Sequence, residues 1–124
     1  MKVIIAGGRD FDNYDYLSET MKNLNIIVSE VVCGGARGAD SLGEKWAQIN
    51  GIPVKYFPAD WDGLGNYAGH ARNKQMAEYA DFLVAFWDGK SKGTQNMIST
   101  MQQLGKHGKV MRYENKGMSN PYPW

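Results

Sequence analysis

Hydrophobic positions along the chain switch repeatedly between two periods. Short apolar or β-branched runs of strand length occur at Val3 to Ala6, Val28 to Cys33, Pro53 to Phe57, Phe82 to Phe86 and Lys109 to Tyr113. Between them apolar residues recur at helical spacing. Leu17, Met21 and Leu24 follow Asp12 or Asn13, either of which can cap a helix. Leu42, Trp46 and Ile49 lie in a helix predicted from Ala39 to Asn50 and stopped by Gly51. Met76 and Tyr79 belong to one from Gly69 to Ala80. Ile98, Met101 and Leu104 follow a Thr94 cap and end at Gly105 or Gly108. Phe82 to Phe86 is continuously apolar, the pattern of a strand buried on both faces. Pro58 to Tyr67 and Asp88 to Gly93 are rich in breakers and read as loops. This alternation predicts an α/β, Rossmann-like single domain over 1–113, with about five parallel strands, right-handed crossovers and helices on both faces. Residues 114–124 form a tail, whose Tyr122 and Trp124 are expected to pack back on the core or on a partner subunit.

The distinctive loops all follow strands: Gly7 to Phe11, Gly34 to Asp40, Ala59 to Tyr67 and Trp87 to Thr94. In open parallel sheets ligands sit outside the carboxyl ends of the strands. CGGARGAD, Cys33 to Asp40, leaves a strand and opens a helix. Glycines there admit backbone N–H groups to a ligand, and the helix dipole favours an anion. Either glycine pair taken alone also fits a tight turn. Together with Lys92-Gly93-Thr94 at a helix start, they point to phosphate or ribose phosphate held by Gly7, Gly8, Gly34, Gly35, Ala36, Gly38, Ala39, Gly93 and Thr94. Neither GxxxxGK[ST] nor a clean GxGxxG is present, which speaks against ATPase and ordinary dehydrogenase chemistry.

Arg9, Arg37 and Arg72 fall in or beside these turns, and their planar donor forks match phosphate or carboxylate. Arg72 stands out because a cation in the first turn of a helix opposes the dipole unless an anion joins it. Asp40 fits two roles equally: pairing with the helix dipole, or accepting from ribose hydroxyls. Asp10, Asp60, Asp62 and Asp88 are further carboxylates on the same rim. Trp61, Tyr67 and Trp87 lie in loops; Trp61 and Trp87 could stack on a nucleobase or cover the core edge. Trp46 and Tyr79, at helical spacing, belong to the core. His70 is within reach of a ligand beside Arg72, and His107 reads as a surface residue.

Composition narrows the field. The chain has 124 residues, 43% hydrophobic and 22% charged, with a formal net charge of +1. That balance argues against bulk-charge binding to nucleic acid or membrane. No run approaches the ~20 apolar residues of a membrane span, and no signal pattern opens the sequence. A single cysteine, Cys33, excludes an intrachain disulfide and reads as a buried small hydrophobe in a reducing, cytoplasmic setting. With that cysteine and two distant histidines, neither a metal site nor a cofactor is expected.

AGGRDF (Ala6 to Phe11), CGGARGADSLGEKWA (Cys33 to Ala47), PADW (Pro58 to Trp61), GHARNKQMAEYAD (Gly69 to Asp81) and AFWDGKSKGT (Ala85 to Thr94) together resemble the SLOG superfamily, most closely its small YspA/YpsA-like members. The resemblance implies a Rossmann-like domain that binds nucleotides or nucleotide-derived ligands. Relatives include the Lonely Guy phosphoribohydrolases, a DNA-processing protein, and sensor domains of bacterial anti-phage defence that bind NAD-derived signals. The hydrolases carry a His-x-Arg-Lys block followed by Met. His70, Arg72 and Met76 match it, whereas Asn73 replaces the lysine. In their PGGxGTxxE block, Gly93 and Thr94 match and the catalytic glutamate falls on Met97. A thioether cannot act as general acid or base.

The resemblance therefore implies non-catalytic binding of a nucleotide, ADP-ribose or cyclic NAD-derived signal, as sensor or sponge. Arg72, Thr94 and the glycine turns would hold phosphate, Asp40 would read ribose, and Trp61 would stack on the base. The competing enzyme reading is a nucleotide N-glycosidase using Arg72 with Asp40 or Asp88. A nucleic-acid or protein interaction module is the third, opposed by the charge balance. Expected partners are a small nucleotide ligand and a second copy of the chain, with no membrane.

Overall fold

The chain forms an all-parallel five-stranded sheet in the order β3-β2-β1-β4-β5. The strands are β1 (Lys2–Gly7), β2 (Glu30–Cys33), β3 (Val54–Tyr56), β4 (Phe82–Trp87) and β5 (His107–Arg112). This computed structural model describes residues 1–114, with the side chains of Trp61 and Asn66 excepted. The expected tail, with Tyr122 and Trp124, lies outside the described residues, as does the Trp61 ring. Helices α1 (Tyr14–Leu24) and α2 (Ala39–Ile49) connect the first three strands. The chain then passes through a helical turn α3 (Trp61–Leu64), a 3-10 turn (Gly65–Tyr67) and α4 (Ala68–Tyr79), returning to β4 beside β1; α5 (Lys92–Gln103) leads to β5. Strand order reverses between β1 and β4, so the loops after these two strands diverge and leave a crevice.

Side-chain alternation along β1 builds two cores. Val3 and Ile5 face α1 and α2, in a cluster with Phe11, Leu17, Met21, Val84 and Phe86. Ile4 and Ala6 face α4 and α5, with Val32, Met76, Leu83, Met97 and Met101. Strands covered on both faces must be apolar at every position, which is why β1 and β4 read as continuous runs. Phe11 stacks on Phe86 at 4.7 Å between centroids and meets Tyr113 edge-on at 4.9 Å, closing the first core over the end of β5. Trp46 and Tyr79 are partly buried against the two cores, as their spacing predicts.

Three local expectations need correction. Of the 58–67 segment only 58–60 is irregular, and 61–67 is helical: Asp60 Oδ1 accepts from the Gly63 N–H (2.9 Å) and its carbonyl from the Leu64 N–H (2.9 Å). One aspartate cap thus nucleates a helical turn despite two flanking glycines. Thr94 does not cap α5; Ser91 does, its Oγ accepting from the Thr94 N–H. Asp88 orders that cap, since its Oδ1 accepts from the N–H groups of Lys90 and Ser91 (2.8 Å each). The fifth strand begins at His107, two residues before the expected start at Lys109. At α1 the cap is Asn13, which accepts from the Tyr16 N–H at 3.0 Å.

One cation secures the far end of α4. Lys106 Nζ donates to the carbonyls of Ala77 (2.7 Å), Glu78 (2.9 Å) and Ala80 (2.7 Å), the orphan acceptors of a helix C-terminus. Lys106→Met should lower stability by about 1–2 kcal/mol, since charge-assisted bonds are lost while the stem's packing is kept. Urea denaturation checks this, and a midpoint equal to wild type would show that water replaces the ammonium at no cost.

Candidate functional site

At the crevice, the loops after β1, β2 and β4 converge with the first turns of α4 and α5. Gly8 links them: its N–H donates to the Phe86 carbonyl (3.2 Å) and its own carbonyl accepts from the N–H groups of Phe11 (3.3 Å) and Ala39 (3.2 Å). The space they leave is an open cleft of about 810 Å³. Its wall includes Gly7, Gly8, Arg9, Gly34, Gly35, Ala36, Asp40, His70, Arg72, Asn73, Gly93 and Thr94, all singled out from the sequence. That size accommodates a mononucleotide or larger ligand.

Asp40 is 6% exposed and braces the turn that precedes its own helix. Its Oδ2 accepts from the N–H groups of Gly34 and Ala36, at 3.2 Å each. The two backbone donors expected to cradle a phosphate are thus already occupied by an internal carboxylate. Burial pushes the Asp40 carboxyl above the usual range, against the two backbone bonds and the nearby Arg72 charge, which pull it down. The Gly34 carbonyl in turn accepts from Arg72 Nη1 at 3.3 Å. Arg72 Nε is buried and has no hydrogen-bond partner among the described residues. An orphaned guanidinium donor beside a cleft is costly unless something outside the chain completes it.

The other acids of the wall are also held internally. Asp10 Oδ1 accepts from the Tyr113 hydroxyl at 2.6 Å, and Asp88 orders the α5 cap as described. Burial, and after it Asp10, push the Tyr113 hydroxyl well up. Arg9 and Lys92 are exposed on the rim, so the cleft presents cations with its carboxylates turned to backbone and hydroxyl donors. Asn73, which is 6% exposed, donates through Nδ2 to the Gly93 carbonyl (3.3 Å) and Asn96 Oδ1 (2.9 Å), tying α4 to the start of α5. Thr94 is buried, with Oγ1 3.1 Å from Ser91 Oγ. Met97, which the resemblance sets against the hydrolase glutamate, is 1% exposed and packs in the second core at the cleft floor.

Some expected residues stand elsewhere. Arg37 is exposed and outside the cleft wall. Gly38 and Ala39 press against the Gly8 loop instead of facing a ligand, and the Ala39 N–H is engaged by the Gly8 carbonyl. Trp87 is the last residue of β4, not a loop aromatic; its Nε1 donates to the Ser91 carbonyl (3.0 Å) and the Arg112 guanidinium lies 4.5 Å above its ring. Both contacts fix it as packing at the sheet end. Ser91 and Asn96 line the cleft unforeseen; the available sign was Ser91 itself, a favoured cap residue just ahead of the helical run. Among the described residues no group of three or more His, Cys, Asp or Glu could hold a metal ion, and no helix is long and apolar enough to cross a membrane.

Cys33, at the end of β2 beneath the site, is buried, and its thiol is pushed up to about 11 by desolvation, with smaller opposing effects from the Gly35 backbone bond and Arg72. A folded-state value above the unfolded one means the native chain retains this proton longer. Stability from this group is intact below pH 9.0 and declines as pH rises toward about 11. Urea midpoints should therefore fall over that window less steeply for Cys33→Ala than for wild type; parallel slopes would show that the thiol is not desolvated.

Comparison with known proteins bears on the fold and the family. The chain is similar to the Gene 61 protein of Mycobacterium phage D29, 40% identical over 81 residues that span 60% of this chain and 65% of that protein. Its fold is similar to that of DNA processing protein A (DprA) from Streptococcus pneumoniae, with a TM-score of 0.73 at 15% identity. The match covers 96% of this chain and about half, 52%, of DprA. A sequence model of the YspA, cpYpsA-related SLOG family matches residues 1–63, which include the loops after β1 and β2 that build one side of the cleft. The chain belongs to the YspA, cpYpsA-related SLOG family.

Proposed function

We propose that the protein binds a ribose-phosphate-containing small molecule in this cleft, ADP-ribose or a cyclic NAD-derived signal, and holds it unchanged, as a sensor or a sponge. SLOG membership and the Rossmann-like fold support a nucleotide-related role in general. The observation that carries the finer reading is the buried, unpartnered Arg72 Nε in a cleft whose acids are all engaged by internal donors. A phosphate oxygen would complete that guanidinium with a charge-assisted bond. Met97 places a thioether, buried and unable to move a proton, where the related hydrolases use a carboxylate.

The second reading is a nucleotide N-glycosidase, favoured by the raised Asp40 carboxyl close to Arg72, an arrangement that can supply a general acid. One experiment separates the two. The purified protein is incubated with AMP, NAD, ADP-ribose and cyclic ADP-ribose isomers, and both bound and free fractions are run by chromatography. Recovery of intact ligand from the protein supports a binder. Free base or ribose phosphate, lost in Arg72→Ala and retained in Met97→Ala, makes it an enzyme. No retention across the panel would sink the nucleotide reading altogether.

A further inference from the structure

Beside the cleft wall, one helical turn before His70, the 3-10 turn delivers an aromatic ring that belongs to neither core. Tyr67 is 62% exposed, and its ring lies nearly parallel to the His70 imidazole, at 16° with centroids 6.0 Å apart. His70 is itself exposed and lines the cleft. The two stand three residues apart where the 3-10 turn runs into α4, so they share one side of the helix start. Arg72, the cleft's anion anchor, follows two residues after His70, within the first two turns of the same helix. The 3-10 turn and the start of α4 therefore present a pair of flat rings, one of which, His70, shares the cleft wall with Arg72.

We infer that the Tyr67–His70 pair is a stacking ledge for an aromatic heterocycle, the base of the ligand whose phosphate Arg72 holds. This rests on the ribose-phosphate reading above and deepens it by assigning the base. A planar ring added to the pair would cover apolar surface that otherwise faces water, and stacking accepts any base because every base has a π-face. The ledge thus selects for a base-containing nucleotide over a bare sugar phosphate, without choosing strongly between purine and pyrimidine. Trp87, the other stacking candidate among the described rings, is held at the sheet end by Ser91 and Arg112 and is not part of this ledge.

The test compares AMP with ribose 5-phosphate by calorimetry, as the ratio of their affinities for one protein. Wild type should prefer AMP. Tyr67→Ala and His70→Ala should each reduce that ratio by about 10-fold, the loss of a base stack, and Tyr67→Phe and His70→Phe should keep it. As a second readout, the His70 ring protons should shift upfield on adding AMP and stay in place with ribose 5-phosphate; this needs no variant to fold. Equal affinity of wild type for the two ligands, or an unchanged ratio in both alanine variants, overturns the ledge and leaves the phosphate reading standing. Failure of wild type to bind either ligand, or any of the nucleotide panel, removes both.

Discussion

Arg72→Ala should weaken binding of a phosphorylated ligand by about 100-fold, roughly 2.7 kcal/mol, as expected when a desolvated charged anchor is truncated. Nη1 is fixed by the Gly34 carbonyl at 3.3 Å, so the guanidinium is oriented before any ligand arrives, while the buried Nε awaits an acceptor. Preorganisation of this kind confines most of the effect to binding. Arg72→Lys keeps a charge but loses the rigid fork and should recover only about a tenth of wild-type affinity. Stability should respond weakly, because the truncation removes an orphaned donor at the same time as it removes the positive charge near Asp40. Calorimetry and thermal melts on both variants check this. Affinity within about 3-fold of wild type for Arg72→Ala would mean that the anion is held elsewhere, with the exposed Arg9 and Lys92 next to be substituted.

Gly38→Ala should be strongly destabilising, because strain and backbone overlap coincide at this glycine. Gly38 has φ +76°, and a Cβ placed on it would lie 2.2 Å from the Gly8 carbonyl oxygen and 2.7 Å from Arg9 backbone atoms. Neither neighbour is the flexible end of a side chain, and the Gly8 loop is pinned to Phe86 and Ala39 by hydrogen bonds. Both strain and overlap must be absorbed by backbone, at about 3–5 kcal/mol, a large share of the stability of a domain this size. Gly51→Ala is the internal control: it has a similar φ of +67°, a Cβ placed on it would meet nothing within 4 Å, and it should cost only about 1 kcal/mol. Melting temperatures should fall by about 10 °C or more for the first and by a few degrees for the second. Equal losses would show that backbone strain, and not the contact with the Gly8 loop, sets the cost.

Both predictions turn on contacts between loops that are distant in sequence, and these mark where reading the chain stops. The five strands and four main helices were legible because two-sided burial imposes continuous apolar runs on β1 and β4, and one-sided burial imposes helical spacing on Leu17 and Met21 or Leu42 and Trp46. Asn13 was legible as a cap because a cap is local chemistry. The 61–67 turns were obscured by their glycines, and the α5 cap moved from Thr94 to Ser91 because Asp88 organises the loop ahead of it.

In the site, the sequence determined which loops meet: alternation of strand and helix puts the loops that follow β1, β2 and β4 at one edge of a parallel sheet, while the glycine turns at Gly51 and Gly105 end helices at the other. It also singled out Arg72, on the expectation of a helix starting at Gly69. Helix α4 starts at Ala68 and continues from the 3-10 turn, so Arg72 stands in its second turn, where the dipole penalty has faded. It is the buried, unpartnered Nε that marks the residue. Tertiary structure alone decided which donors are vacant. Asp40 could equally have faced a ribose; only the folded turn shows its Oδ2 on the Gly34 and Ala36 N–H groups. Trp87 could have been a stacking ring, but its register beside Arg112 removes it, while the unforeseen 3-10 turn lifts Tyr67 onto His70. Periodicity is a property of one segment and its environment, so it survives in the sequence. The occupancy of a hydrogen-bonding group depends on partners brought together from separate segments, and no local pattern records it.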